Sequence, residues 1–323
     1  MNPKFLMALV SALMSLCCNG VHAQIYPNKP VTIVIPFPPG GGTDTGGRIL
    51  AEQLSKRWGQ PVVVENKGGA AGQIGADAVA KAKPDGYTLL LGNIGTQAIN
   101  PALYPKMTYD PDTAFAPISL VAELPLALMV NPAVPAKTPN DIIALAKSKP
   151  GQLSYSSAGA GGAPHLAAEM FKDQTGTFIL HVPYRGGGPA IADLIAGHVQ
   201  MSFMTVLEAS GHIKAGKLRA LAVTSEKRVP ALADVPTLAE QGLANFNAIS
   251  WLGLLAPAGT PSSLIDKVSN DVRLILADDS VKTRYINLGG IPRATTPAEF
   301  ANLISEDRQR YTKIIRSRKI SLE

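Results

Sequence analysis

The chain has 323 residues, of which 46% are hydrophobic and 17% are charged, and its formal net charge is +6. This length is enough for about two domains with a sizeable hydrophobic core. The basic residues are scattered except near the C-terminus, where they cluster at Arg308, Arg310, Lys313, Arg316, Arg318 and Lys319. We interpret this cluster as the solvated face of a terminal helix, and we expect no nucleic-acid partner.

The first predicted element is an export signal. The apolar residues 5–18 follow Lys4 and are followed by Val21, His22 and Ala23. A membrane-spanning helix needs about 20 apolar residues, which this segment does not reach, and no later segment reaches it. We therefore predict a signal peptide over residues 1–23, cleaved after Ala23, and export to the periplasm. Both cysteines lie within this segment, so the mature chain would have no disulfide bond.

Strand and helix patterns alternate through the rest of the chain. Apolar and β-branched runs predict strands at residues 31–35, 62–65, 87–91, 153–157, 178–183, 199–204 and 218–224. Helical periodicity and capping residues predict helices at residues 45–58, 72–83, 142–147, 164–174, 189–196, 207–215, 261–276, 281–288 and 297–315. This alternation favours an α/β fold with mainly parallel sheets flanked by helices.

Two proline-rich passages, residues 125–139 and 230–261, interrupt this alternation. They predict two lobes rather than one domain. The first lobe is discontinuous, with residues 24–125 and 250–323, and the second lobe, residues 126–249, is inserted into it. Two chain crossings between lobes form a hinge, and the cleft between them is a usual place for a ligand.

Three glycine-rich loops each follow a predicted strand and precede a predicted helix. They read PFPPGGGTD from Pro36, SSAGAGGAPH from Ser156 and YRGGGPA from Tyr184. In parallel sheets these loops share the carboxyl edge of the strands, where ligands bind. Glycine lets a ligand approach the backbone, and helix N-termini offer N–H groups and partial positive charge. Three such loops therefore favour a carboxylate or phosphate site over glycines that merely shape turns.

Motifs for catalysis or metal binding are incomplete. The P-loop-like stretch GHIKAGKL has Leu218 where a hydroxyl residue would hold magnesium. Ser157 is not in a G-x-S-x-G elbow, and a triad of Asp44, Ser157 and His165 would be a chance assembly of common residue types. The histidines beyond the signal peptide have no metal-ligand spacing. We therefore expect no catalytic residue, no metal and no cofactor.

The sequence resembles the substrate-binding proteins of tripartite tricarboxylate transporters, the Bug or TctC family of periplasmic solute receptors. Matching stretches run in order along the mature chain, among them YPNKPVTIVIPFPPGGGTD, SAGAGGAPHLAAEMF, VPYRGGGPAIADLIAGHVQ and HIKAGKLRALAVTSEKR. The resemblance implies a type II-like, flytrap-shaped, two-lobed binding protein without enzymatic activity. It also implies a small carboxylate ligand, held chiefly by backbone N–H groups and water, that is passed to a membrane permease. We expect a monomer.

The resemblance places the ligand on the three glycine-rich loops. The candidate ligand-binding residues are Phe37, Gly40, Gly41, Gly42, Thr43, Asp44, Asn93, Ser157, Ala158, Gly159, Ala160, Gly161, Gly162, His165, Arg185, Gly186, Gly187, Gly188 and Thr205. Relatives commonly carry an acidic residue after the strand that reads MSFMT here, where this chain has Thr205. Without that acid, the cleft should repel a second ligand carboxylate less strongly. Phe37 and Trp251 could flank an apolar ligand body.

The leading expectation is therefore a dicarboxylate, including an aromatic one. Amino acids, nicotinate-like acids and citrate remain open. Two other functions also remain open. One is an exported hydrolase that uses Ser157, and the other is a protein that presents its ligand to a sensor kinase.

Overall fold

The computed structural model describes residues 26–317 and residue 320. The signal peptide predicted at residues 1–23 lies outside these residues, as do Arg318 and Lys319 of the basic C-terminal cluster. None of the helices in the described part of the chain is long and apolar enough to cross a membrane.

Strands and helices alternate, which confirms the predicted α/β class. The strands are β1 (Val31–Ile35), β2 (Val62–Asn66), β3 (Thr88–Asn93), β4 (Phe115–Val130), β5 (Ser154–Ser157), β6 (Leu180–Pro183), β7 (Met201–Thr205), β8 (Arg219–Val223), β9 (Ile249–Pro257) and β10 (Ile291–Pro292). The helices are α1 (Gly42–Trp58), α2 (Gln73–Ala80), α3 (Asn100–Leu103), α4 (Pro139–Ser148), α5 (Ala163–Thr175), α6 (Gly187–Ala196), α7 (Val206–Lys214), α8 (Ser262–Ala277), α9 (Asp279–Leu288) and α10 (Pro297–Ser317).

The strands form a mixed sheet in the order β2-β1-β3-β9-β4-β7-β5-β6, and β8 and β10 also pair with β4. The strands β2, β1 and β3 run parallel at one end, and β6, β5 and β7 run parallel at the other. Two antiparallel strands, β9 and β4, join these groups. Each half is thus built from parallel strands whose carboxyl ends carry the glycine-rich loops.

The long strand β4 changes its partners along its length. Residues 115–125 pair with β9, whereas Leu126 begins the pairing with β7. The sequence patterns had missed β4 and β9, because both carry prolines. A proline removes one ladder donor, but Pro117 sits at a register shift of β4 and Pro125 at the end of its pairing with β9. This change of partner supports our proposal of two lobes divided near residues 125 and 250.

Apolar side chains pack the helices onto the sheet. In the first half, Leu50 and Leu54 of α1 are fully buried in a cluster with Ile33 of β1. Gly59 ends α1 in the left-handed conformation with φ of 62°, as the sequence predicts, and its N–H bonds the Ser55 carbonyl. This packing holds α1 in place on the sheet. The loop that precedes α1 is therefore held in place as well.

Candidate functional site

A cavity lies between the two halves of the sheet, where the glycine-rich loops meet. The space in it that is open to the centre of a water molecule is about 60 Å³, so the cavity is narrow in this structure. Its walls come from both halves of the molecule. The lining residues are Phe37, Gly41, Gly42, Thr43, Ala71, Asn93, Gly95, Leu124, Ala158, Gly159, Gly161, Gly162, Ala163, Pro164, Gly187, Thr205, Glu208 and Ser250.

Eleven of the predicted ligand-binding residues line this cavity. They are Phe37, Gly41, Gly42, Thr43, Asn93, Ala158, Gly159, Gly161, Gly162, Gly187 and Thr205. The structure places the other eight elsewhere: Gly40, Asp44, Ser157, Ala160, His165, Arg185, Gly186 and Gly188. Ala160 and Arg185 line a wider groove beside the cavity, and the other six line neither the cavity nor this groove.

Asp44 shapes the first loop and does not line the cavity. Its buried carboxylate accepts hydrogen bonds from Gly40 N–H at 3.0 Å, Asn66 Nδ2 at 2.9 Å and Arg48 Nε at 3.0 Å. Burial opposes ionisation, but these bonds outweigh it and hold the pKa of Asp44 below its usual value. Gly40 has φ of +88°, a conformation that glycine adopts without strain. A charged Asp44 therefore fixes the turn that presents Gly41 and Gly42.

Two histidines support the second loop from behind. His165 is buried, and its Nδ1 accepts the Gly161 N–H at 3.1 Å. Its ring stacks on His181, with 4.2 Å between the ring centroids. Burial lowers the pKa of His165 to about 4 and that of His181 to about 3, so both rings are neutral near pH 7. His165 therefore positions a loop N–H and does not meet a ligand as a cation.

The structure does not bring Asp44, Ser157 and His165 together as a triad. The Ser157 hydroxyl lies 2.6 Å from His181 Nε2, and it also contacts the Gly159 carbonyl at 3.1 Å. Ser157 is fully buried, so a substrate would have no path to this hydroxyl in the described structure. The serine–histidine contact serves to hold the turn of the second loop.

The third loop divides between the cavity and an outer groove. Arg185 is exposed and lines this groove together with Ala160. Phe37, Ala158 and Gly159 line both the groove and the cavity, so the groove lies beside the cavity rather than apart from it. Arg185 is therefore placed to meet a ligand outside the inner cavity.

Glycine is required where the third loop approaches its neighbours. Gly186 has φ of +147°, and a Cβ added there would lie 2.8 Å from Pro38 Cδ. A Cβ at Gly187 would lie 2.3 Å from Glu208 Oε2, and one at Gly188 would lie 3.3 Å from the Pro39 carbonyl oxygen. The loop thus packs its backbone directly against the first loop and against Glu208.

Glu208 lines the cavity, and the motif analysis did not include it among the candidate residues. It lies in the first turn of α7, where Oε1 accepts the Thr205 N–H at 3.2 Å. Its Oε2 accepts the Gly42 N–H at 2.7 Å from the other half of the molecule. Burial raises the pKa of Glu208 to about 7, although these hydrogen bonds oppose the rise. The T-x-x-E pattern from Thr205 to Glu208, directly after a strand, is the signal that could have indicated it.

The structure bears on two expectations about the ligand. The loss of an acid at Thr205 does not leave the cavity free of carboxylates, because Glu208 supplies one three residues later. Trp251 is buried against Phe300, and its indole N–H donates to Asp307 Oδ2 at 2.8 Å. It is a core residue, so Phe37 is the aromatic side chain left to contact the body of a ligand.

Comparison with known proteins identifies close relatives over nearly the whole chain. A family model described as tripartite tricarboxylate transporter family receptor matches residues 47–320. Protein BugT of Bordetella pertussis is 35% identical over 319 residues, which are 98% of each chain.

Solved structures agree with these matches. Rpa4515 of R. palustris, solved with adipate, is 35% identical with a TM-score of 0.90, covering 92% of this chain and 99% of that one. MatC of Rhodopseudomonas palustris, solved with bound malate, is 33% identical with a TM-score of 0.85, covering 90% of this chain and all of that one.

Proposed function

Because the chain belongs to the tripartite tricarboxylate transporter receptor family, we propose that it is a periplasmic solute-binding protein. It captures a small carboxylate and delivers it to a membrane permease of the tripartite tricarboxylate type. It acts as a monomer without enzymatic activity, after a signal peptide is cleaved behind Ala23. The adipate and malate of the two solved relatives support the ligand class.

The observation that carries this proposal is the cavity lined by glycine-rich backbone. The start of α5, at Gly162, Ala163 and Pro164, forms part of its wall. A helix N-terminus attracts a carboxylate through its N–H groups and dipole, without the help of a lysine or arginine. Thr43 and Asn93 add polar side chains to the same wall, and they are joined by a hydrogen bond of 3.3 Å. A small carboxylate fits this mixture of backbone and neutral polar groups.

Native mass spectrometry of the purified protein tests the proposal by identifying a retained ligand. A thermal-shift series would follow, with malate, adipate and their monocarboxylate analogues against the matched methyl esters and amides. A ligand at 100 times its Kd stabilises the folded state by roughly 2.7 kcal/mol, which such a series resolves. We expect carboxylates to raise Tm and neutral analogues to leave it unchanged. Equal shifts from neutral analogues would contradict anion recognition.

A hydrolase is the second candidate, since the 2.6 Å contact between Ser157 and His181 is the geometry of a serine nucleophile with its base. The burial of Ser157 argues against it. Model esters incubated with the wild type and with Ser157→Ala decide the question. We expect no turnover by either protein, and turnover that disappears in the variant would support the hydrolase.

Delivery to a sensor kinase would use the same binding step as delivery to a permease. Uptake of the identified ligand by cells that lack this protein separates the two. Lost uptake supports the permease, and normal uptake with a lost transcriptional response supports the sensor.

A further inference from the structure

Glu208 occupies the place where two helix N-termini meet. Its Oε2 accepts the Gly42 N–H at the start of α1, and the same atom would lie 2.3 Å from a Cβ on Gly187, the first residue of α6. Helix N-termini attract anions. The protein therefore places a carboxylate of its own on the N–H of one predicted anion-binding position and against the backbone of a second. The start of α5, on the second loop, is the one that remains for a ligand carboxylate.

The charge of the cavity follows from its lining. Among the described residues that form its wall, Glu208 is the one with a charged side chain. Arg185, the cation of the glycine-rich loops, lies in the outer groove. A carboxylate has about four positions that accept hydrogen bonds, and the Gly42 and Thr205 N–H groups use two of them. Glu208 can therefore accept a hydrogen bond from a ligand as well.

Building on the carboxylate-receptor function, we propose that Glu208 determines the charge class of the ligand. The site takes a small carboxylate whose other end presents a hydrogen-bond donor to Glu208, either a hydroxyl or an ammonium group. Adipate and malate, with which the two relatives were solved, are dicarboxylates, so the inference is that this site differs from theirs. It disfavours a dicarboxylate dianion, whose second carboxylate would meet Glu208 with no side-chain cation in the described cavity wall to offset the repulsion. This inference is an alternative to the dicarboxylate expected from Thr205, and the titration below decides between them.

Isothermal titration with ligands of equal length tests the proposal. The probes are adipate, 6-hydroxyhexanoate and 6-aminohexanoate, with succinate, 4-hydroxybutyrate and 4-aminobutyrate as a shorter set. The titrations are made at pH 8.5, where Glu208 is ionised. For the wild type we expect the hydroxy or amino acid of the preferred length to bind at least tenfold more tightly than the dicarboxylate.

Glu208→Gln removes the charge and keeps the size of the side chain. We expect Glu208→Gln to reduce at least tenfold the preference for the hydroxy or amino acid over the dicarboxylate. Glu306→Gln, on an exposed carboxyl of α10, is the matched control and should leave the ranking unchanged. If Glu208→Gln does not fold, Glu208→Asp keeps the charge, and it should bind more weakly with the wild-type order of ligands.

Three results would overturn the inference. One is a wild-type protein that prefers the dicarboxylate at pH 8.5. Another is an unchanged ranking in Glu208→Gln, which would remove Glu208 as the determinant and leave the carboxylate-receptor function standing. The third is tight binding of the dicarboxylate together with the uptake of one proton, measured in two buffers. Such a result would show that Glu208 becomes protonated when the dicarboxylate binds and does not select against its second carboxylate. If no carboxylate of either set binds, both this inference and the proposed function fail.

Discussion

The burial of Glu208 makes a direct prediction about stability. A carboxyl group whose pKa is higher in the folded state stabilises that state at low pH, and it loses this contribution as the pH rises through the folded value. For Glu208 the pKa rises from its ordinary 4.5 to about 7. This change corresponds to about 3 kcal/mol of unfolding free energy, present below pH 4.5 and lost above pH 7. In Glu208→Gln this loss should disappear.

The assay is urea unfolding of ligand-free protein from pH 5 to pH 8.5, for the wild type and for Glu208→Gln. His165 and His181 act in the opposite direction over part of this range, because burial lowers their pKa values and their contribution is lost as the pH falls below 6.5. Both proteins contain these histidines, so their effect cancels in the difference. The amide also changes the hydrogen bond to Gly42, but that change is independent of pH.

We therefore expect Glu208→Gln to gain about 2.5 kcal/mol on the wild type between pH 5 and pH 8.5, because part of the loss is already complete at pH 5. The exposed control Glu306→Gln should show no such change. A difference between wild type and Glu208→Gln that stays constant across this pH range would refute the reasoning, since it would mean that the carboxyl keeps an ordinary pKa in the cavity.

Three further predictions concern the loops and the proposed lobes. Gly187→Ala places a methyl group 2.3 Å from Glu208 Oε2 and should weaken ligand binding about tenfold or more by calorimetry, whereas Gly211→Ala, which meets no atom within 4 Å, should not. Arg185→Ala should weaken binding without changing the Tm of the ligand-free protein, and an unchanged Kd would remove Arg185 from the site. Small-angle scattering should show the wild type contracting with ligand. A constant radius of gyration at saturation would contradict closure of two lobes.

The sequence predicts the loops well because their signals are local. A short strand, a run of glycines and a helix start lie within about fifteen residues of one another, and the structure has this order at β1, β5 and β6. The same local patterns did not predict β4 and β9, because both strands contain prolines. Pro117 and Pro125 are tolerated because the strand is irregular or ends its pairing there, which depends on partners far away in the chain.

The contacts of the candidate site are less predictable for the same reason. Glu208 meets Gly42 across 166 positions of the chain, and no periodicity reports such a contact. Asp44 and His165 lie in the predicted loops, yet their side chains bond the loop backbone and face away from the cavity. The sequence motifs indicate that Asp44 and His165 belong to the glycine-rich loops. Only the fold decides whether each one meets the ligand or holds the loop.

The position of Glu208 also connects the charge of the ligand with closure of the proposed lobes. The Gly42 N–H belongs to one lobe and the Glu208 carboxylate to the other, so their 2.7 Å hydrogen bond crosses the cleft. A ligand group that donates to Glu208 leaves this bond in place and adds a further link between the lobes. A ligand carboxylate at the same position competes for the Gly42 N–H and repels the acceptor that already holds it. Binding such a ligand would displace Glu208 and weaken the contact that closes the cleft, so selection of the ligand and closure depend on the same carboxylate.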